Sequence, residues 1–183
     1  SFQDLVRDNW GKYFYIRDLQ RKVFWSAAYK PVMHPYDHFA VVHGLGYSKF
    51  IQRIEQIESE LTVFVAPNDP VEVFQLKLTN LSAEPHQLDI TSYAEWLLGF
   101  APDEHREFHK LFIETLADVP HSTVYARKCL WGFADDKGRH NNIDWPYTAF
   151  MAVSEPLKSF DCDKETFLGL YNNDDHPQAM QES

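Results

Sequence analysis

Apolar and polar residues alternate with a two-residue period along most of this chain, the pattern of half-buried β-strands. In KYFYIRD (12–18), Tyr13, Tyr15 and Arg17 fall on one face, with Phe14 and Ile16 on the other. VFWS (23–26) follows after the polar turn LQRK, which predicts a hairpin. HFAVVHGLGYSKFIQRI (38–54) reads as two strands around a glycine-marked interruption, and ESELTVFVAP (58–67) alternates again. In EVFQLKLTNLS (72–82), Val73, Gln75, Lys77 and Thr79 oppose Phe74, Leu76, Leu78 and Asn80. HQLDITSYAEWLLG (86–99), STVYARKCLWGFA (122–134), YTAFMAVS (147–154) and TFLGLY (166–171) complete the expected strands. QIESELTV and DEHREFHKLF have helix-like starts, but neither continues as an amphipathic run of ordinary helix length. Strands joined by short polar turns predict an all-β fold, a large antiparallel β-sandwich. Residues 1–183 read as one domain. The tail NNDDHPQAMQES (172–183) carries little apolar matter and is expected to be a frayed end or a truncated linker.

Composition narrows the function classes. Aromatic residues make up 15% of the 183, which suits sheet interiors and also the walls of sugar sites. The formal net charge of −10 argues against a nucleic-acid surface, which needs a positive footprint, and offers no basic patch for anionic lipid. No apolar run approaches the roughly 18–20 residues of a membrane span. The chain begins SFQDLVRDNW without Met, so it is read as processed, trimmed or excised. Cys129 and Cys162 stand in no CxxC spacing and make no disulfide scaffold, which fits a reducing, cytoplasmic compartment.

Candidate chemistry is sparse. His105 and His109 are four apart, but HREFH lacks the glutamate of the zincin arrangement. His34 and His38 share that spacing with Pro35 opposing a helix, so no metal is expected at either place. HGLGYSKF (43–50) lacks the third glycine of a dinucleotide site and the ending of a phosphate-binding loop. Its glycines suit a bulge, a close strand crossing or approach to a ligand, and His43 suits a structural role or a pocket contact. Ser48 has no assignable triad. Of the many carboxylates, Glu95 in SYAEW is the best placed, as a hydrogen-bonding group in an apolar strand or as an acid.

The ordered series GKYFYIRD, FWS, KPV, HGLGYSKF, LTVFVAPNDPVEVFQLKLTNLS, ITSYAEWLLG and ETFLGLYN resembles the N-terminal β-sandwich of glycoside hydrolase family 94. That family comprises inverting phosphorylases of cellobiose, cellodextrins, chitobiose and related β-glucosides, and the same domain type occurs in cyclic β-1,2-glucan synthases. The resemblance runs from about Gly11 to Tyr171. It implies a super-sandwich, here incomplete as a fragment or separately encoded, whose catalytic aspartate and phosphate site lie in an (α/α)6 barrel outside this chain. It also implies that the loop after SYAEWLLG reaches the acceptor-sugar side of a partner's active site in a homodimer. Matching positions put Phe108, His109 and Lys110 where similar enzymes carry phenylalanine, glutamine and arginine, with Arg106 and His105 beside them. His109 and Lys110 can donate hydrogen bonds to hydroxyls while Phe108 anchors the loop. Lysine in place of the planar guanidinium changes what acceptor fits, toward an acidic or differently linked sugar.

By this resemblance the chain contributes dimer contacts and an acceptor-side loop to an assembled phosphorylase, with no catalytic residue of its own. Its implied partners are a β-linked oligosaccharide and the barrel. The implied co-substrate is inorganic phosphate, with no organic cofactor or metal. Two alternatives stay open: a stand-alone carbohydrate-binding module stacking sugars on Tyr13, Tyr15, Trp25 or Tyr47, and a purely structural interaction domain.

Overall fold

The computed structural model describes residues 11–98, 112–129, 137 and 144–181. All strand pairs among them are antiparallel, in three sheets. The chain divides into two compact units, one of Asn9–Ala94 with Glu165–Ser183, the other containing Glu95–Lys164.

The first unit is a sandwich. Strands β1 (Lys12–Asp18), β2 (Val23–Ser26) and β7 (Leu88–Ala94) form one sheet in the order β2-β1-β7. Strands β3 (His38–Gly44), β4 (Tyr47–Ile54), β5 (Ile57–Val65) and β6 (Glu72–Asn80) form the other, in sequence order. The alternation read from the sequence sets what each face meets. Ile16 and Trp25 pack against Ile54, Ile57 and Leu61, with Phe14, Phe74, Leu76 and Leu78 around them. The rings of Phe14 and Phe74 lie 5.0 Å apart. The opposite face of β1 carries Tyr13, Tyr15 and Arg17, as its period requires.

That face is covered by helices, which the sequence did not lead us to expect. Helix α1 (Lys164–Leu168) and helix α2 (Gln178–Gln181) bury Phe167, Leu168 and Met180 against Tyr15. TFLGLY is therefore no strand. Phe167 and Leu168 are neighbours and both buried, and Gly169, at φ +85, donates its N–H to the Glu165 carbonyl, closing the helix as a left-handed glycine does. Residues 172–181 are held to the same face by packing and hydrogen bonds. Pro177 is fully buried, the Tyr15 hydroxyl donates to the Asp174 carbonyl at 2.8 Å, and Arg17 donates to the Ala179 carbonyl.

Two hairpin turns show different solutions to the same backbone demand. Between β3 and β4, Gly46 takes φ +83 with no steric cost. Between β4 and β5, Glu55 and Gln56 both adopt positive φ without being glycine. Their carbonyls are held from outside, Glu55 by the Arg21 guanidinium at 2.9 Å and Gln56 by the Leu81 N–H at 2.8 Å.

The second unit holds strands β8 (Ile113–Asp118), β9 (Thr123–Lys128) and β10 (Thr148–Ala152) in the order β10-β9-β8. A 3-10 turn at Val119–His121, capped by the Asp118 carboxylate, joins β8 to β9. Strand β8 is not among the strands that the alternation predicts. No described helix is long and apolar enough to cross a membrane.

Candidate functional site

The residues expected to face sugar, His105, Arg106, Phe108, His109 and Lys110, lie outside the described residues. The described positions on either side of them carry their own chemistry. Glu95, directly after β7, accepts from the Lys164 ammonium at 2.5 Å, with its side chain 17% exposed. The best-placed carboxylate in the sequence is thus ion-paired. Beyond the segment, exposed Phe112 adopts φ +59, and its carbonyl accepts from Cys129 N–H, opening the β8–β9 ladder.

Glu114 and Arg127 stand opposite each other in that ladder and share two hydrogen bonds, at 2.7 and 3.0 Å. The guanidinium holds the Glu114 carboxyl below the usual carboxylate range, and the carboxylate in turn raises Arg127. Burial, with help from Glu114, pushes the Cys129 thiol up, away from the thiolate form. Lys128, nearly fully buried, is lowered by loss of solvent. In the same unit a groove of about 530 Å³ is lined by residues including His121, Ser122, Glu155 and Leu157.

Of the histidines singled out in the sequence, the described ones, His34, His38 and His43, each have their own surroundings. His34 Nδ1 and the Pro35 carbonyl are 2.7 Å apart, while His38 sits exposed opposite Arg53. His43 Nδ1 is hydrogen-bonded to the Ser48 hydroxyl across the β3–β4 hairpin at 2.9 Å. Among the described residues, no group of three or more His, Cys, Asp or Glu could hold a metal ion.

A buried polar chain escaped sequence reasoning altogether. Asp18, at the end of β1, is fully buried and meets His86 Nδ1 at 2.6 Å, while His86 Nε2 meets the Ser82 hydroxyl at 3.0 Å. The order Ser–His–Asp resembles a hydrolase triad. However, the Ser82 hydroxyl also lies within 2.7 Å of Asn80 Oδ1 and 2.9 Å of the Glu84 carbonyl, and receives the Glu84 N–H. It is the hub of a turn, clasped to the β1–β2 turn through His86. Burial opposes the Asp18 charge. The His86 hydrogen bond and the Arg21 and Gln20 N–H groups outweigh it and leave the carboxyl below its ordinary 3.8.

The family model described as the glycosyl hydrolase 94 supersandwich domain matches residues 1–183. The chain belongs to this family. It is similar to solabiose phosphorylase of Paenibacillus borealis, at 29% identity over 92% of this chain and 21% of that protein. N,N'-diacetylchitobiose phosphorylase of Vibrio furnissii is 25% identical over 97% of the chain and 21% of its own length. Cyclic beta-(1,2)-glucan synthase of Rhizobium meliloti is 29% identical over 61% of the chain and 4% of its own. The chain thus spans about a fifth of the length of the phosphorylases it matches over most of its own length.

Within this supersandwich domain, the aromatic residues expected as stacking surfaces separate sharply. Tyr15 and Trp25 are 0% and 1% exposed and belong to the packed interiors, so neither can stack on a sugar. Tyr13 lies against Tyr93 with ring planes 7° apart. Tyr47 alone of the four is exposed, at 42%.

Proposed function

We propose that this supersandwich domain is the non-catalytic part of an inverting β-glucoside phosphorylase, supplying dimer contacts and the acceptor-side loop. The observation that carries the reading is the match of the family model to residues 1–183, joined with phosphorylase relatives roughly five times as long. The remaining length is where the catalytic acid and phosphate site would reside, in a helical barrel. Phosphate attacks the anomeric carbon of a β-linked glucosyl unit, the bond to the acceptor oxygen breaks, and the acid protonates that oxygen. The products are α-glucose 1-phosphate and the acceptor sugar. Because phosphate occupies the place of activated water in an inverting hydrolase, one protein acid suffices.

In this reading His109 and Lys110 donate to acceptor hydroxyls, Arg106 and His105 flank them, and Phe108 anchors the turn. A lysine ammonium is a compact charge with rotatable donors, which favours an acceptor unlike one gripped by a fixed guanidinium fork. The free cysteines Cys129 and Cys162 support assembly in the cytoplasm. The test is a phosphate-dependence assay on the complete protein and on residues 1–183 alone. Phosphate-dependent release of α-glucose 1-phosphate from a β-linked disaccharide by the complete protein, and none by the 183-residue chain, is expected. Turnover by the 183-residue chain, or phosphate-independent hydrolysis by the complete protein, refutes the proposal.

A further inference from the structure

The four-stranded sheet of the sandwich has a face turned away from the core, and its cross-strand register sorts that face into rows. Gly44, Tyr47, Phe64 and Val73 stand opposite one another across β3, β4, β5 and β6. They alternate with Ile54, Ile57 and Leu61, whose side chains fill the core, and so point outward. A Cβ on Gly44 would fall inside the Tyr47 ring, onto its Cε1 and Cζ. The ring therefore lies across the glycine backbone, a position only glycine leaves open. It is 42% exposed, with Phe64 half-buried beside it on the next strand.

The adjacent row, roughly 7 Å along the strands, is Val42, Lys49, Thr62 and Gln75. Lys49 is held by Glu60 at 2.9 Å, which cancels its charge locally. The Thr62 hydroxyl and the exposed Gln75 amide offer both donors and acceptors. A flat aromatic platform bordered by neutral hydrogen-bonding groups matches a pyranose, whose axial C–H bonds present an apolar face and whose equatorial hydroxyls project sideways. A net charge of −10 and the pairing of Lys49 disfavour a phosphate-bearing ligand here.

We propose that this outward face is a saccharide-binding surface, with one ring of a β-linked gluco-oligosaccharide stacked on Tyr47 and its hydroxyls met by Thr62, Gln75 and Lys49. It is separate in sequence from residues 105–110 and would hold an oligosaccharide without taking part in bond cleavage. It does not depend on the acceptor-loop proposal.

The experiment is an NMR titration of the 183-residue chain with cellotetraose, following backbone amides and aromatic signals. Saturable shifts at Gly44, Tyr47, Phe64 and Gln75 are expected. Y47A should bind at least about tenfold more weakly, and Y47F within about threefold of the unaltered chain, since the ring face does the stacking. Y147A, which removes an exposed tyrosine elsewhere, should bind as the unaltered chain does. If Y47A fails to fold, Q75A and T62V should each weaken binding while retaining the native spectrum. No saturable shift, shifts confined to other positions, or undiminished binding by a folded Y47A would overturn the proposal and leave Tyr47 as a cover for Gly44. The phosphate-dependence assay stands or falls separately.

Discussion

Asp18 shows how one side chain can tie distant pieces of this chain together. It is fully buried, yet His86 and two backbone N–H groups keep its carboxylate charged. D18N keeps the shape but loses the charge-assisted bond to His86, and should cost about 2–3 kcal/mol in urea unfolding at pH 7. The carboxyl's folded pKa lies below its ordinary 3.8, so between the two values the unfolded chain binds more protons. The Asp18 contribution is therefore complete above about pH 4–5 and disappears as pH falls through the folded value. Unfolding free energies measured from pH 6 to pH 2 should fall less steeply in D18N than in the unaltered chain; parallel curves would contradict this. Tyr15, whose phenol is pushed up by burial first and by the Asp174 charge second, makes one hydrogen bond that Y15F deletes. A loss of about 1 kcal/mol, with faster amide exchange at residues 174–181, is the expected result. Neither partnership could be read from the sequence. Asp18 and His86 are 68 positions apart, and their meeting depends on the β1–β7 register, which alternation alone does not fix.

Strands, by contrast, were legible wherever one face meets the core. Phe74, Leu76 and Leu78 were separated from Val73, Gln75 and Lys77 by period alone, and the former pack against the sandwich core. The helices were not legible, because six residues such as TFLGLY fit a buried strand or a helical turn equally well. Gly169 was the available signal, as a helix-closing residue. Met180 of α2 is 6% exposed, so M180A should lose about 2–3 kcal/mol and loosen the cover over Tyr15; an unchanged unfolding midpoint would refute the packing. The β4–β5 turn makes the opposite kind of prediction. Q56G relieves a left-handed conformation that β-carbon sterics oppose, while the Leu81 N–H still holds the carbonyl. A gain of about 0.5–1 kcal/mol in unfolding free energy is expected.

At the scale of the whole molecule, the proposal makes the sandwich a scaffold for chemistry supplied by a longer protein. The family relation was readable because many modest motifs recur in order, and the family model spans the chain. The acceptor site proposed here rests on a position alone, residues 105–110, which lie outside the described residues. The direct test is acceptor kinetics in the complete protein, comparing H109A and K110A with the unaltered enzyme in the synthetic direction. Loss of a charged donor to a hydroxyl should raise the acceptor KM at least about tenfold in K110A, with the KM for glucose 1-phosphate and the melting temperature little changed. Acceptor kinetics in both variants equal to those of the unaltered enzyme would contradict the assignment of this loop to the sugar site.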